Sequence, residues 1–347
     1  MLQEQRTLVT IPYDSGNTVE KDVPRVYVSK KWQLRGKVTV RSNVANGETW
    51  GTQVANSPAL IIKRVDVRVV GDKSQVIKSY SGDELLAMNL FDFAGAQENV
   101  NNTPTGVNGG SSEVNVDYVS YFSLDINWNL PDANQLAVQS MDVKGKALGM
   151  PRAYNPQNMT LFNPTNYNPV EIYVTWGSIA DIQTGFTATK LEVNAVDLKL
   201  VSVDLPELGG IYSINRELRK LATWTSANSD LRVDLPKGNL IRRVCIVAWD
   251  DGVQDNSIIN NVQIVVDESI RRVDCGFNQI RNENSKRYNV PFTSLPNGVA
   301  IVEFDSDRDF TGLLDVTKVD NVRLSLDVNA PTATLGTVKV ITQEITR

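Results

Sequence analysis

Residues 19–34 read VEKDVPRVYVSKKWQL, and an altered copy of this stretch, LRVDLPKGNLIRRVCI, occupies residues 231–246. In each copy an acidic residue, an apolar residue, a proline and a basic residue follow one another, as DVPR at 22–25 and as DLPK at 234–237. The two copies lie 212 positions apart. Repeats of about 20 to 50 residues build solenoids and propellers. A repeat at this much larger spacing predicts that one whole domain is present twice.

A second block of the chain repeats in the same order. At the 212-residue shift, KK at 30–31 also aligns with RR at 242–243. Further along, the alternating stretch 62–69 aligns with 259–266, now at a shift of 197. The fall in the shift predicts 15 extra residues in the first copy between the two blocks, around SNVANG at 42–47. Surface loops accept such insertions at low cost.

The bulk composition is that of a globular protein. The 347 residues suffice for two domains, with 41% hydrophobic and 22% charged residues. A net charge of -5 does not favour coating nucleic acid, because that requires many Lys and Arg on phosphates. No apolar run approaches the roughly 18 residues of a membrane span. The first residues, MLQEQRTLVTIPYD, contain no signal-peptide core, so we expect a protein that is made and used in a cytoplasm or released by lysis.

The chain has no histidine and two cysteines, Cys245 and Cys275. Without histidine, Ser-His-Asp and Cys-His catalysis and His-ligated zinc, iron or copper are excluded. Both cysteines lie in apolar alternating segments, which favours two buried thiols. The sequence leaves a disulfide open as the alternative.

Alternation of apolar and polar residues predicts strands throughout the first half. They cover residues 8–11, 25–29, 32–40, 60–70, 74–80, 114–128, 170–176 and 191–203. Residues 131–168 read as a long irregular segment with a short helix at 133–141. Loops of this length usually have a function or belong to an interface.

One predicted helix interrupts these strands. Ser81 can cap it, Asp83 and Glu84 suit its first turn, and it ends near 93–95. In the second copy, residues 278–285 stand at the equivalent position.

The second half also reads as strands, after a boundary at LPELGG, residues 205–210. They cover 232–235, 240–249, 257–266, 270–277, 299–304, 321–328 and 337–345. The segment 211–222, IYSINRELRKLA, precedes them and predicts a helix, with Ser213 as its cap and Leu218 and Leu221 on one face.

These elements predict an all-β protein of two tandem eight-stranded jelly-roll β-sandwiches with a few short helices. The N-terminal jelly roll is expected at 1–208 and the C-terminal jelly roll at 209–347. No βαβ rhythm is present, which argues against a parallel sheet. The size of each unit, the helix in mid-domain and the long loops between particular strands favour jelly rolls over immunoglobulin-like sandwiches.

In layout and size the chain resembles the double jelly-roll major capsid proteins of tailless icosahedral bacteriophages and related DNA viruses, the lineage shared with adenovirus hexons. The residues that carry the resemblance are IPY at 11–13, DVPR at 22–25 and KKWQLRG at 30–36, with DLPK at 234–237 and IRR at 241–243 in the second copy. These motifs are degenerate, so the duplication and the layout give the resemblance its specificity.

The resemblance implies a homotrimer whose six jelly rolls form a pseudo-hexagonal tile of an icosahedral virion shell, assembled in the host cytoplasm. It implies long loops at the outer end, and an internal lipid membrane or the genome beneath the inner end. Penton and minor capsid proteins would be further partners, and no sequence-specific nucleic acid is expected. Two linked similar domains under threefold symmetry supply six similar edges from one gene, which suits tiling.

No residue is predicted to be catalytic, to hold a cofactor or to bind a metal, and we expect no enzyme. DSDRD at 305–309 has the spacing of a calcium loop, but Phe310 and Val316 stand where Gly and Glu are required. A solvated acidic turn is therefore favoured there. DDG at 250–252 could supply two glycosidase carboxylates, but this pattern is more typical of a turn between strands. Asn101 and Asn158 match glycosylation acceptors, a pattern common by chance.

Two further groups of residues have a plain structural interpretation. The basic pairs at 30–31, 63–64, 242–243 and 271–272 are expected on outward strand faces, solvated or in ion pairs between subunits, with phosphate contacts as the alternative. Core packing is expected for Trp32, Trp128, Trp176, Trp224 and Trp249, with trimer-interface burial as the alternative for one or two.

Two other functions stay open at the level of sequence. The first is another virion component, such as a spike, penton or tail protein, which need not contain twin domains. The second is a tandem β-sandwich that binds or cleaves carbohydrate, which requires an exposed aromatic platform with facing carboxylates.

Overall fold

The structure is a computed structural model. It describes residues 4–43, 51–54, 57–70, 74–92, 99–100, 115–128, 160–187, 191–206, 208, 212–305 and 312–346. The described chain divides into two compact units. Unit 1 holds the described residues up to 89, those from 99 to 128 and those from 162 to 208. Unit 2 holds residues 90–92, 160–161 and those from 212 onward.

Unit 1 is a sandwich of two antiparallel sheets. Sheet 1 contains, in spatial order, β1 (Glu4–Ile11), β11 (Glu192–Leu205), β3 (Val28–Asn43) and β8 (Asn115–Asn127), with the short β7 (Asn99–Val100) on β8. Sheet 2 contains β2 (Thr18–Asp22), β9 (Val170–Trp176), β5 (Ile62–Val70) and β6 (Ser74–Tyr80). The short strands β4 (Thr52–Gln53) and β10 (Gln183–Thr184) pair with each other, and α2 spans Ile179–Ile182.

Unit 2 repeats this arrangement. Sheet 3 contains β12 (Asn215–Trp224), β21 (Gly336–Ile345), β14 (Leu240–Asp250) and β18 (Val299–Glu303), with the short β15 (Val253–Gln254) and β19 (Leu314–Asp315) on β14. Sheet 4 contains β13 (Asn228–Asp234), β20 (Val322–Val328), β16 (Ile259–Val266) and β17 (Ile270–Gly276). One helix occupies the same place in each unit: α1 (Gly82–Asp92) follows β6, and α3 (Phe277–Tyr288) follows β17.

The strand order identifies both units as jelly rolls. If the eight main strands of each unit are counted along the chain, one sheet has the order 1-8-3-6 and the other the order 2-7-4-5. These are two interlocked Greek keys, the jelly-roll arrangement. The prediction of two tandem eight-stranded jelly rolls with a few short helices is confirmed.

The duplication extends to hydrogen bonds and irregularities. The backbone N–H of Val23 donates to Val170 O at 2.8 Å, and that of Leu235 donates to Val322 O at 2.9 Å, each joining the end of the second main strand to the start of the seventh. Strands β3 and β14 also carry a β-bulge at the same place. Lys30 is the extra residue of β3, and Arg242 is the extra residue of β14. The sequence repeat had aligned these two positions.

The extra length of the first copy lies in part within a strand. Strand β3 has 16 residues and its counterpart β14 has 11. Residues 44–47 of the expected insertion lie outside the described residues.

Apolar side chains fill the interior of each sandwich. In unit 1 the ring centroids of Trp32 and Trp128 lie 5.0 Å apart, and Trp128 stacks on Phe162 at 4.2 Å. The expected core role of tryptophan is confirmed for Trp32, Trp128, Trp176 and Trp224, which are at most 6% exposed. Trp249 is only half-buried.

The sequence prediction fails at the first strand of unit 2. Residues 211–222 were expected to be helical, but Asn215–Trp224 form strand β12, paired along its full length with β21. Helix-forming residues such as those of NRELRKLA express a weak preference that strand pairing overrides. Two segments predicted as separate strands, 25–29 and 32–40, also lie in one strand: β3 begins at Val28 and runs through both, and residues 25–27 precede it. The short helix expected at 133–141 lies outside the described residues.

Candidate functional site

The basic pair Arg242-Arg243 lies buried on β14, so the expectation of an outward pair is wrong here. The two residues are 2% and 1% exposed. The guanidinium of Arg243 donates to both carboxylate oxygens of Asp92, at 2.6 and 3.1 Å. Bidentate Arg–carboxylate contacts are among the strongest hydrogen bonds in proteins. Burial alone lowers the pKa of Arg243, but the facing Asp92 carboxylate outweighs it and the pKa is raised overall.

Arg242 binds a second set of groups. Its Nη1 donates to Gln343 on β21 at 2.9 Å, and its Nε lies 3.4 Å from Glu303 and 3.9 Å from Asp305. Tyr288, the last residue of α3, donates its phenol proton to Glu303 at 2.6 Å. Burial, followed by the negative charge of Glu303, raises the pKa of this tyrosine. The contacts join β14, β18, β21 and α3 through buried polar groups.

The network continues along β21. Gln343 donates to Glu217 on β12. The next residue of β21, Glu344, points to the opposite face and separately accepts from Asn239 at 2.7 Å. Glu344 is fully buried, and burial raises the pKa of its carboxyl group. We call the set linked through Arg242, Arg243 and Gln343 the buried ionic cluster: Asp92, Glu217, Arg242, Arg243, Tyr288, Glu303, Asp305 and Gln343. Its polar groups orient one another, so the cluster fixes the relative positions of the strands that carry it.

An asparagine on a helix binds the backbone of the sixth main strand in each unit. In unit 1, Asn89 on α1 donates to Asp125 O at 2.8 Å and accepts from Asp125 N at 2.7 Å. In unit 2, Asn284 on α3 does the same with the oxygen and nitrogen of Ile301, both at 2.7 Å. Each amide thus replaces one residue of a missing neighbouring strand. Exposed strand edges otherwise invite pairing with other chains.

The adjacent carboxylates of DDG belong to a turn, as predicted. Asp251 and Gly252 have φ values of 47° and 84°, and they connect β14 to β15 as the two central residues of a hairpin. The Asp251 carboxylate accepts hydrogen bonds from the backbone N–H groups of residues 333–335, at 2.5 to 2.8 Å, and from the Thr334 hydroxyl. The Leu335 and Thr334 donors strongly lower the pKa of Asp251. Asp250 binds the N–H and hydroxyl of Thr332.

The basic pairs at 63–64 and 271–272 are exposed, as the sequence predicts, whereas the pair at 30–31 is half-buried. Lys63 forms an ion pair with Asp181, and Arg64 forms one with Asp66 at 2.9 Å. Residues 271–272 are exposed on β17. Surface ion pairs of this kind contribute at most about 1 kcal/mol each.

The calcium-like stretch and the two candidate glycosylation acceptors fall mostly outside the described residues. Residues 306–310 of the calcium-like stretch, Asn101 and Asn158 lie outside the described residues, while Asp305 is buried beside Arg242. Within the described ranges, no three acidic or thiol side chains come together as a metal cluster. Among those same residues, no helix combines the length and apolar character needed to cross a membrane.

The two cysteines are thiols and form no disulfide. Cys245 is buried, as expected, but Cys275 is only half-buried. It lies on β17, where its thiol donates to Gln279 at 3.3 Å. The expectation of burial is therefore wrong for Cys275, because β17 stands at the edge of its sheet.

Comparison with known proteins gives no match at the level of sequence. No protein-family model matches the chain, and no curated protein matches it. Solved structures do match over nearly the whole chain. The major capsid protein of Sulfolobus Turreted Icosahedral Virus is 13% identical, with a TM-score of 0.68 over 100% of this chain and 97% of its own.

Two other virus proteins give the same result. The major capsid protein P2 from Bacteriophage PM2 is 12% identical, with a TM-score of 0.59 over 100% of this chain and 98% of its own. The Faustovirus major capsid protein is 10% identical, with a TM-score of 0.55 over 99% and 89%. The chain therefore has the double jelly-roll fold of these viral major capsid proteins.

Proposed function

We propose that the chain is a major capsid protein that assembles as a homotrimeric, pseudo-hexagonal tile of an icosahedral virion shell, and that it has no catalytic role. The observation that carries this proposal is the repeat of one jelly roll within a single chain, down to the equivalent bulges at Lys30 and Arg242. Two similar domains under threefold symmetry give six similar edges, which is what a hexagonal lattice needs.

The buried ionic cluster and the two edge-binding asparagines support a structural role. A capsid tile must keep its shape when neighbouring tiles contact its edges. Buried hydrogen-bonded networks hold strands and helices in defined positions. The bound strand edges also limit uncontrolled pairing between many copies at high concentration. Four tryptophans that a carbohydrate platform could use are buried instead.

Within a virion we expect contacts with further copies, with penton and minor capsid proteins, and with an internal membrane or the genome beneath the shell. Assembly would take place in the host cytoplasm. These partners rest on the likeness of fold and on the duplication.

The mass of the purified native chain tests the proposal. The chain is 38.4 kDa, and light scattering on a sizing column should give about three times that mass, unchanged on dilution. Electron microscopy of concentrated trimers, or of expressing cells, should then show hexagonal sheets or shells. A stable monomer at every concentration would contradict the proposal.

A further inference from the structure

A fully buried carboxylate stands at the same position in both units. In the pairing of the eighth main strand with the third, Asp204 on β11 is opposite Ser29, and Glu344 on β21 is opposite Ile241. Residues 29 and 241 are themselves equivalent at the 212-residue shift. Both acidic residues are 0% exposed. The duplicated fold therefore places an acidic side chain at the same end of each sandwich.

The two carboxylates differ in their partners. Asp204 accepts hydrogen bonds from two serine hydroxyls, and the Arg6 guanidinium lies 3.1 Å from its second oxygen. Glu344 has a single hydrogen-bond donor, the side-chain amide of Asn239. Its other oxygen, Oε1, is buried and has no donor among the described residues. A buried charge with so few partners is costly, so the ionised form of Glu344 is disfavoured.

The charged groups that act on Glu344 are two cations of β12. Arg216 stands directly opposite Glu344 in the pairing of β12 with β21, and Lys220 lies further along β12. Both favour the ionised carboxylate, but in the described part of the chain no ion pair joins either of them to it. From the other side, β14 places the apolar Ile241 opposite Glu344. Burial outweighs the Asn239 bond and the two cations, and it raises the pKa of Glu344.

The end of β21 also holds the start of β12. The Ile214 backbone N–H donates to the Thr346 hydroxyl at 3.0 Å, and the Thr346 N–H donates to the Ile214 carbonyl oxygen at 3.1 Å. Glu344 and Arg216 each lie two residues from these bonds. We call the two strand ends, residues 214–216 and 344–346, the foot of unit 2. Because β12 is the first main strand of this unit, the foot is where the chain enters it.

We propose that Glu344 is a proton-operated latch of this foot. With a proton on Oε1 the side chain is neutral, keeps its bond from Asn239 and stays inside the sandwich, so the strand ends remain closed. When the proton leaves to solvent, the buried carboxylate carries a charge with a single donor. That charge favours openings that admit water, and the foot loosens. Such a latch acts within unit 2 whatever the chain assembles into.

The foot should be closed at acidic pH and looser at neutral pH. The pKa of Glu344 in the folded chain lies above the value of about 4.3 expected in the unfolded chain. The stabilisation by protonation is therefore complete below about pH 4 and is lost as the pH rises through the folded pKa.

Glu344→Gln tests the latch, because glutamine has the shape of the neutral acid and cannot ionise. Hydrogen exchange of the native full chain, followed by mass spectrometry of peptides that cover 212–220 and 338–346, measures opening of the foot. After correction for the intrinsic exchange rate, wild-type protection should rise several-fold from about pH 8 to about pH 5. Protection in Glu344→Gln should not depend on pH. In urea, the wild-type midpoint should rise relative to that of the variant over the same fall in pH.

Two controls separate a latch from a general loss of charge. Glu283→Gln makes the same change on the exposed face of α3, and its difference from the wild type should not vary with pH. Asp204→Asn removes the equivalent carboxylate of unit 1. It should lower the urea midpoint at neutral pH, because Arg6 then lies beside a neutral amide.

Protection of the wild-type foot that is equal at both pH values would overturn the latch, and this measurement stands on its own if Glu344→Gln fails to fold. A folded Glu344→Gln chain whose foot keeps the wild-type dependence on pH would also overturn it, since another group would then bind the proton.

Discussion

Asp92 occupies a position where a helix does not favour a carboxylate. It is the last residue of α1, and the negative end of the helix dipole repels an acidic side chain there. The bidentate contact with Arg243 offsets this repulsion and balances a guanidinium that is almost completely buried. Removing one member of such a pair costs much more than removing both, because the remaining charge stays buried without its partner.

Asp92→Asn should lower the free energy of unfolding by about 3 kcal/mol, since it leaves the Arg243 charge without its carboxylate. Urea denaturation at neutral pH measures the loss. The double variant Asp92→Leu with Arg243→Met removes both charges and should lie much closer to the wild type. Equal stability of Asp92→Asn and the wild type would show that the pair does not stabilise unit 2.

Asp251→Asn should destabilise the chain in a pH-dependent way. The native bonds to residues 333–335 lower the pKa of Asp251, whereas the unfolded chain has an ordinary Asp pKa of about 3.9. The stabilisation is therefore complete above about pH 4 and is lost as the pH falls from there towards the native pKa. Urea midpoints of wild type and variant should differ at pH 7 and approach each other below about pH 4.

The control for this prediction is Asp197→Asn, which removes an exposed carboxylate with a single ion-pair neighbour. It should show little difference at either pH. A gap between wild type and Asp251→Asn that stays constant down to pH 3 would contradict the role given to the native hydrogen bonds.

The sequence predicts the role of some of these residues and not of others. The DDG turn is readable because adjacent aspartates before glycine have a local conformational preference. The partner of Arg243 is not readable, because Asp92 lies 151 positions away and no local pattern joins them. A bulge also hides the burial of Arg242, since it changes side-chain direction within an otherwise alternating strand. An acidic residue at the end of a predicted helix was the one available signal that a basic partner exists.

A strand or helix is predictable from sequence when its own residues determine its conformation. The strands Ser74–Tyr80 and Val170–Trp176 have the bounds that alternation predicts, and α1 begins and ends near the expected residues. Strand β12 was misread because its residues favour a helix when considered alone. Its conformation is set by pairing with β21, more than one hundred positions away, and such partners leave no trace in the strand's own sequence.

Asn284 on α3 should contribute to the free energy of unfolding of unit 2. Asn284→Leu leaves the N–H and C=O of Ile301 buried without partners, and each loss costs roughly 1 to 3 kcal/mol. The free energy of unfolding should therefore fall by about 2 kcal/mol or more. The Ile301 amide, followed by hydrogen exchange, should lose protection by more than its neighbours on β18.

The neighbouring exposed asparagine provides the control. Asn282 lies on the same helix and faces solvent, so Asn282→Leu should have little effect on stability or exchange. If both substitutions behave alike, the helix acts through its apolar face and the amide contact is not needed.

The whole molecule contains two units that interleave along the chain. Unit 2 includes residues 90–92, although most of it follows residue 212. A cut between 208 and 209, the boundary expected from sequence, would therefore separate Asp92 from Arg243. The pattern of repeats predicts two similar domains, but it does not show that a short piece of the first repeat is grouped with the second.

The fragment 209–347 should consequently fold poorly on its own. We expect weak near-UV circular dichroism and a broad urea transition, because the fragment keeps the buried Arg243 and lacks its carboxylate. The same fragment with Arg243→Met should unfold more cooperatively. A wild-type fragment that unfolds as sharply as the full chain would contradict the requirement for residues 90–92.

The bulges at Lys30 and Arg242 also determine where each strand can lose length. Residues Ser29 and Lys31 pair with successive positions of β11, and so do Ile241 and Arg243 with β21. Deleting the extra residue would keep every other side chain on its present face, whereas a deletion elsewhere in the strand would reverse the faces of one flank. In an alignment of diverging descendants, single-residue gaps in these strands should therefore collect at Lys30, where no buried ion pair would be lost.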